Sequence, residues 1–236
     1  MGTRTKAKDG ILIPNLHKAL PVSNNFMTDW YRRKTWTKTD EEEYFAKLGR
    51  ARKDGRPQYL KIQAIELVET KEPKLLGVAE LLIQKLFTDY PDDKLERSSS
   101  LETLGDIYKY RQQFDKAIEF YKKAIDFEKI YPNVLTQAYL EYSELVVKHK
   151  KHEHYDFVEQ IVSKRIKGSM FPIEKYKAFS ILSIISNYKC DKEKAEQYAA
   201  LADKNASAET SGLRYHKYLG VVIERDSLLD KLVKRK

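Results

Sequence analysis

Three histidines fall within six residues, His149, His152 and His154, with Glu153 between the last two. On a continuous helix His149 and His152 would share a face and suggest a divalent metal. Lys150 and Lys151 between them repel a cation, however, and no further ligand group is identifiable. The cluster therefore reads as a solvated inter-helix turn with pH-sensitive charge. Cys190 lies beside Lys189 and near Lys192, cations that favour a thiolate. No local histidine supplies a base for a nucleophile, so it reads as an incidental thiol. The chain has no Gly-rich phosphate loop, no Gly-x-Ser-x-Gly elbow and no His-Glu-x-x-His helix. The paired carboxylates Asp92-Asp93 belong to a turn, where such residues cap the next helix. These residues predict no catalytic group, no metal site and no cofactor.

The elements around them follow from composition. The 236 residues carry 42% hydrophobic and 33% charged side chains, enough apolar material for a folded core. Only 9 glycines and 7 prolines occur, too few for the many tight corners of a β-sandwich or barrel. One cysteine excludes an internal disulfide and a Cys-rich zinc site, which suits a reducing compartment. The longest apolar runs fall well short of the roughly 20 residues that cross a bilayer. The basic start MGTRTKAKDG is followed by Pro14, His17, Lys18 and Pro21 rather than by the apolar stretch of a secretion signal. Cytoplasmic residence is expected.

The formal charge is +9, but residues 1 to 38 hold eight basic and two acidic residues and so carry six of those nine charges. The remainder mixes Lys and Glu as ordinary solvated helices do, so nucleic-acid binding is disfavoured and confined to the leader and the run Arg32-Arg33-Lys34.

Residues 1 to 26 lack periodicity and read as a flexible basic leader, and Met27 is a candidate biological start. Thr39 with Glu42 predicts a capping box for the first helix, with Glu41 to Glu43 at the positive end of its dipole. Gly55-Arg56-Pro57 ends that helix. Further breaks fall at Glu72-Pro73, 90–93, 111–113, 131–133, 149–154, 168–172 and 188–191. The intervals suit helices, and no period-2 run separates them, so about ten helices and no sheet are expected.

One helix pair carries a motif. Leu101, Leu104-Gly105 and Tyr108 are followed by Phe114-Asp115, Ala117, Tyr121 and Ala124. Gly105 and Ala117 are small where two antiparallel helices approach, while Leu104, Tyr108, Phe114 and Tyr121 fill the space between. This pattern resembles the tetratricopeptide repeat family, of bacterial type. It departs from the family in having Leu101 for the frequent tryptophan and a late closing proline, Pro132. Weaker matches are Tyr59 to Thr70 with Pro73 to Phe87, then Leu145, Tyr155, Val158 and Val162, then Phe179, Leu182, Ala195, Ala199 and Ala202. Ala117, Val158 and Ala195 stand 41 and 37 residues apart, against ~34 in the family.

The resemblance implies an all-α, right-handed α-solenoid of antiparallel helix pairs over residues 57–204. An N-terminal capping segment spans 27–56, where Trp30, Tyr31 and Trp36 with Tyr44, Phe45 and Leu48 cover the first repeat, the alternative being an exposed aromatic platform for a ligand. C-terminal capping helices span 205–236, with a helix from Leu213 to Glu224 and an amphipathic end at Leu228, Leu229, Leu232 and Val233. It also implies a concave face that holds a peptide, lined by Ser99, Glu102, Asp106, Lys109 and Tyr110, then Tyr139, Ser143 and Val147, then Lys177, Ser180, Ile184 and Asn187. Members that clamp a carboxylate terminus use Lys and Asn where Glu102 and Asp106 stand here, so a basic ligand, or an apolar one with a positive feature, fits better. A non-enzymatic scaffold or adaptor is the leading expectation. A peptide-sensing regulator of a nucleic-acid-binding output and a self-associating subunit, a homo-oligomer, are the alternatives.

Overall fold

Four tight turns share one backbone feature. Lys71, Gln112, Lys150 and Cys190 adopt left-handed φ values of 59, 58, 53 and 61°. At three of them the residue that follows donates its amide to a carbonyl five residues back: Gln113 to Tyr108, Lys151 to Val146 and Asp191 to Ser186. This is the Schellman closure of a helix C-terminus, made here without glycine. The computed structural model describes residues 29–233, and the turns sit within four helix pairs. These are α2 (Arg56–Val68) with α3 (Pro73–Asp89), α4 (Arg97–Tyr110) with α5 (Phe114–Ile130), α6 (Ala138–Lys148) with α7 (Tyr155–Arg165), and α8 (Pro172–Tyr188) with α9 (Lys192–Ala206). Helix α1 (Lys38–Arg50) precedes them and α10 (Ser227–Leu232) follows. The described residues contain ten α-helices and no strand, and none of these helices is long and apolar enough to cross a membrane.

Each first helix also touches an earlier pair: α4 packs on α2 and α3, α6 on α5, and α8 on α6 and α7. The motif pair shows why its small residues are needed. A Cβ placed on Gly105 would lie 2.4 Å from ring carbons of Tyr121, and Ala117 and Ala124 are fully buried on the facing helix. The Tyr121 hydroxyl donates to Asp106 at 2.6 Å. Behind this contact Glu128, its side chain wholly buried, accepts from Ser98 Oγ (2.8 Å), Thr136 N (2.8 Å) and Thr136 Oγ1 (2.7 Å) and pairs with Arg165. Glu128 thereby ties the start of α4, the turn before α6 and the end of α7 to α5.

The first helix begins two residues earlier than expected. Thr37, not Thr39, caps α1, and its box partner is Asp40 rather than Glu42. Trp30 packs on Tyr31, Tyr44 and Tyr59, and Trp36 on Tyr44 and Phe45, so these rings are packing groups. The expected helix from Leu213 to Glu224 does not form, so the C-terminal segment contributes one short helix, α10. Gly212 and Gly220 take φ values of +79 and +73°, which a right-handed helix cannot include. Gly220 abuts Phe171, and its carbonyl accepts the Ile173 amide at 2.8 Å. The leader and the Met27 start lie outside the described residues.

Candidate functional site

Helix α6 buries eight of its eleven residues, leaving Glu141, Glu144 and Lys148 as its charged stripe. Spacings of three and four place all three on one face. Glu102, Asp106 and Lys109 make the matching stripe on α4. Lys109 bridges the helices, its ammonium 2.6 Å from Glu141 and 3.2 Å from Asp106. Tyr110 borders them, with Lys109 and Lys71 5.5 and 5.3 Å from its ring centre. Ser99 lies one turn earlier on α4, half-buried, and its carbonyl accepts the Thr103 hydroxyl.

Two carboxylates, Asp106 and Glu141, share the Lys109 ammonium, and a third carboxyl, Glu102, lies one turn before Asp106 on the same helix. Among the described residues Glu102 has no ion-pair partner. Burial, reinforced by Asp106, Glu141 and Glu128, pushes its carboxyl up to about 8, against a smaller opposing effect of the Gln137 backbone amide. Burial also raises Asp106, although Lys109 and the Tyr121 hydroxyl pull the other way. Lys109 is held above its ordinary value: burial opposes its charge, and Glu141 and Asp106 overcome that cost. An added cation would give an ionised Glu102 the charged partner it lacks, while Asp106 and Glu141 already share Lys109.

Several expected lining residues are elsewhere. Tyr139, Ser143, Val147, Ser180 and Ile184 are all buried, at 4, 0, 0, 0 and 7% exposure. The Ser143 and Ser180 hydroxyls bond the carbonyls four residues back, at Tyr139 and Tyr176. With so little of α6 and α8 exposed, transferring a register from α4 selects core positions instead of the charged stripe. Lys177 is at the surface and pairs with Glu144 at 2.8 Å, while half-buried Asn187 offers its carbonyl to the Cys190 amide at the end of α8. Glu141, Glu144 and Lys148 were missed, and the signal for them is that α6 has no other charged residue.

The other chemical candidates disperse. His149 stacks on Phe114 at 4.0 Å, His152 on Tyr188 at 4.2 Å, and His154 meets the edge of Tyr142 at 5.9 Å. Three rings with three different aromatic partners form no shared ligand set, and no group of three metal-binding side chains occurs among the described residues. Asp93 caps the approach to α4 by accepting the Glu96 amide at 2.8 Å. Cys190 is exposed at its left-handed turn position, and Lys189 reaches across to Asp156 and Glu159. The run Arg32-Arg33-Lys34 is matched internally: Arg32 pairs with Glu66, Arg33 with Asp40 and Glu43, and Lys34 with Glu66 and Glu69. Comparison with known proteins found no matching family profile, no matching curated protein and no matching solved structure.

Proposed function

We propose that this chain is a non-enzymatic, cytoplasmic protein- or peptide-binding adaptor of tetratricopeptide-like build. In this reading the four helix pairs stack as a right-handed solenoid, with α2, α4, α6 and α8 lining the concave side. The shared turn geometry, the Gly105–Tyr121 approach and the packing of each first helix on an earlier pair support that build. The partner presents a lysine, arginine or amino terminus to the α4/α6 surface, with an apolar or aromatic neighbour beside Tyr110. The observation that carries this reading is the excess of acidic groups there, with Asp106 and Glu141 sharing Lys109 and Glu102 beside them without an ion-pair partner among the described residues. A cation placed among them meets attraction that is weakly screened because the groups are half-buried.

The test is affinity capture from extract of the native host, comparing the wild-type chain with a Glu102→Lys/Glu141→Lys variant. These positions serve better than Asp106, which also accepts the buried Tyr121 hydroxyl. The expected outcome is a protein retained by wild type and lost from the variant while the variant still melts cooperatively. Identical captured sets would count against the proposal.

A further inference from the structure

The short helix α10 does not extend the row of pairs beyond α9. It packs on α8 and α6, the first helices of their pairs. Leu229 is fully buried and Val233 is 8% exposed, both within the core cluster that holds α6 and α8, and Leu232 packs against the same cluster. Polar contacts fix the direction of the segment. Asp226 caps α10 by accepting the amides of Leu228 and Leu229 at 3.0 and 2.9 Å, and its other oxygen pairs with Lys148 at 2.5 Å. The Asp226 amide donates to the Tyr176 hydroxyl at 3.0 Å, and that hydroxyl donates to Asp230 at 2.9 Å. Arg225 pairs with Asp230 and with Asp203 of α9.

This is how a bound amphipathic helix sits on a helical face, with aliphatic anchors in the seam and an acidic cap on a lysine. The connection supports the same interpretation. Residues 207–226 are irregular, and Tyr215, Tyr218 and Ile223 stand 81, 69 and 90% exposed. A six-residue helix has little stability of its own, so its place depends on the face beneath it.

We propose that the α6/α8 face is a second binding surface and that the chain's own segment 226–233 occupies it as an intramolecular ligand. The partner that replaces it is an amphipathic helix with an acidic N-cap, leucine three residues later and aliphatic residues six and seven later, the pattern of Asp226, Leu229, Leu232 and Val233. Lys148 and Tyr176 read the cap, and the seam between α6 and α8 takes the aliphatic side chains. This proposal stands apart from the α4/α6 reading, since none of Glu102, Asp106 and Glu141 takes part.

The experiment uses the full chain carrying Leu229→Asp, which undocks α10, and a fluorescent peptide of residues 223 to 233 as probe. The tether holds α10 at an effective concentration on the order of millimolar, so wild type takes up the peptide weakly and the variant binds it at least about tenfold more tightly. Adding Lys148→Glu to the variant removes that gain. A variant that melts cooperatively but does not bind the peptide overturns the proposal, as does one that loses its cooperative melt, because α10 is then part of the core. Hydrogen exchange on the wild-type chain is an independent check. The Asp230 and Val233 amides should exchange at least about 100-fold faster than those of Ile181 to Ile185, through local opening; equal rates overturn the proposal.

Discussion

The α4/α6 surface and the α6/α8 surface share a helix and differ in charge balance. On the first, Glu102 is raised by burial and by Asp106 and Glu141, and Asp106 by burial and by Glu141, with Lys109 pairing Asp106 and Glu141 and none of the described cations pairing Glu102. On the second, Glu144 lies below its ordinary value despite burial, because Lys177 and Lys148 both face it. There Asp226 adds a matching carboxylate and Leu229 fills the seam. Where the chain's own segment is seated the charges are matched; where nothing from the described residues is seated they are not. The unmatched half is the one on which the proposed cationic partner would act.

The largest expected effect concerns the support beneath the first surface. Glu128→Ala leaves Arg165 without its carboxylate and strips the acceptor from Ser98 and Thr136, which should cost about 3–5 kcal/mol in a denaturant melt. A loss under about 1 kcal/mol would mean that the α4/α6 geometry is not held from behind. The two bridging lysines come next and compare the surfaces directly. Lys109→Ala leaves Asp106 and Glu141 unopposed and should cost about 1–3 kcal/mol. Lys148→Ala leaves Glu144 with Lys177, and Asp226 with the Leu228 and Leu229 amides, and should cost less, about 1 kcal/mol or below. Equal losses would erase the distinction between the two surfaces.

A smaller effect is the pH dependence of stability. The Glu102 carboxyl is raised in the folded state from 4.5 to about 8, so the folded chain holds a proton that the unfolded chain releases. Its contribution is fully present below pH 4.5 and is lost as pH rises through about 8. Thermal melts of Glu102→Gln should therefore lose less stability across that window than wild type. The smallest effect lies outside both surfaces and serves as their control. Cys190→Gly relieves a left-handed residue at φ 61° and should stabilise the chain by about 0.5–1 kcal/mol without changing binding at either surface.

How far each region was legible in the sequence follows from its packing. The α4/α5 pair was readable because the motif reports a contact, Gly105 under the Tyr121 ring, that admits few other residues. Helix positions were readable from their Pro and turn residues. The lining register on α6 and α8 was not, because both helices bury most of their residues, serines such as Ser143 and Ser180 included, so a register carried over from α4 falls on core positions. The segment 213–224 misled for the opposite reason. Leu213, Tyr215, Tyr218, Leu219 and Val222 imitate a helical stripe, and the contrary signal was Gly220 in its middle, which the fold uses for its positive φ against Phe171.

The most direct test of the α4/α6 surface is an anisotropy titration of fluorescent hexalysine into wild type and Glu102→Lys/Glu141→Lys at pH 6 and pH 8. Glu102 must ionise to pair with a cation, so wild-type binding should tighten from pH 6 to pH 8, and the variant should bind at least about tenfold more weakly at pH 8. Equal affinity of the two chains, or wild-type binding that does not change with pH, would contradict the assignment of this surface as a cation-binding site.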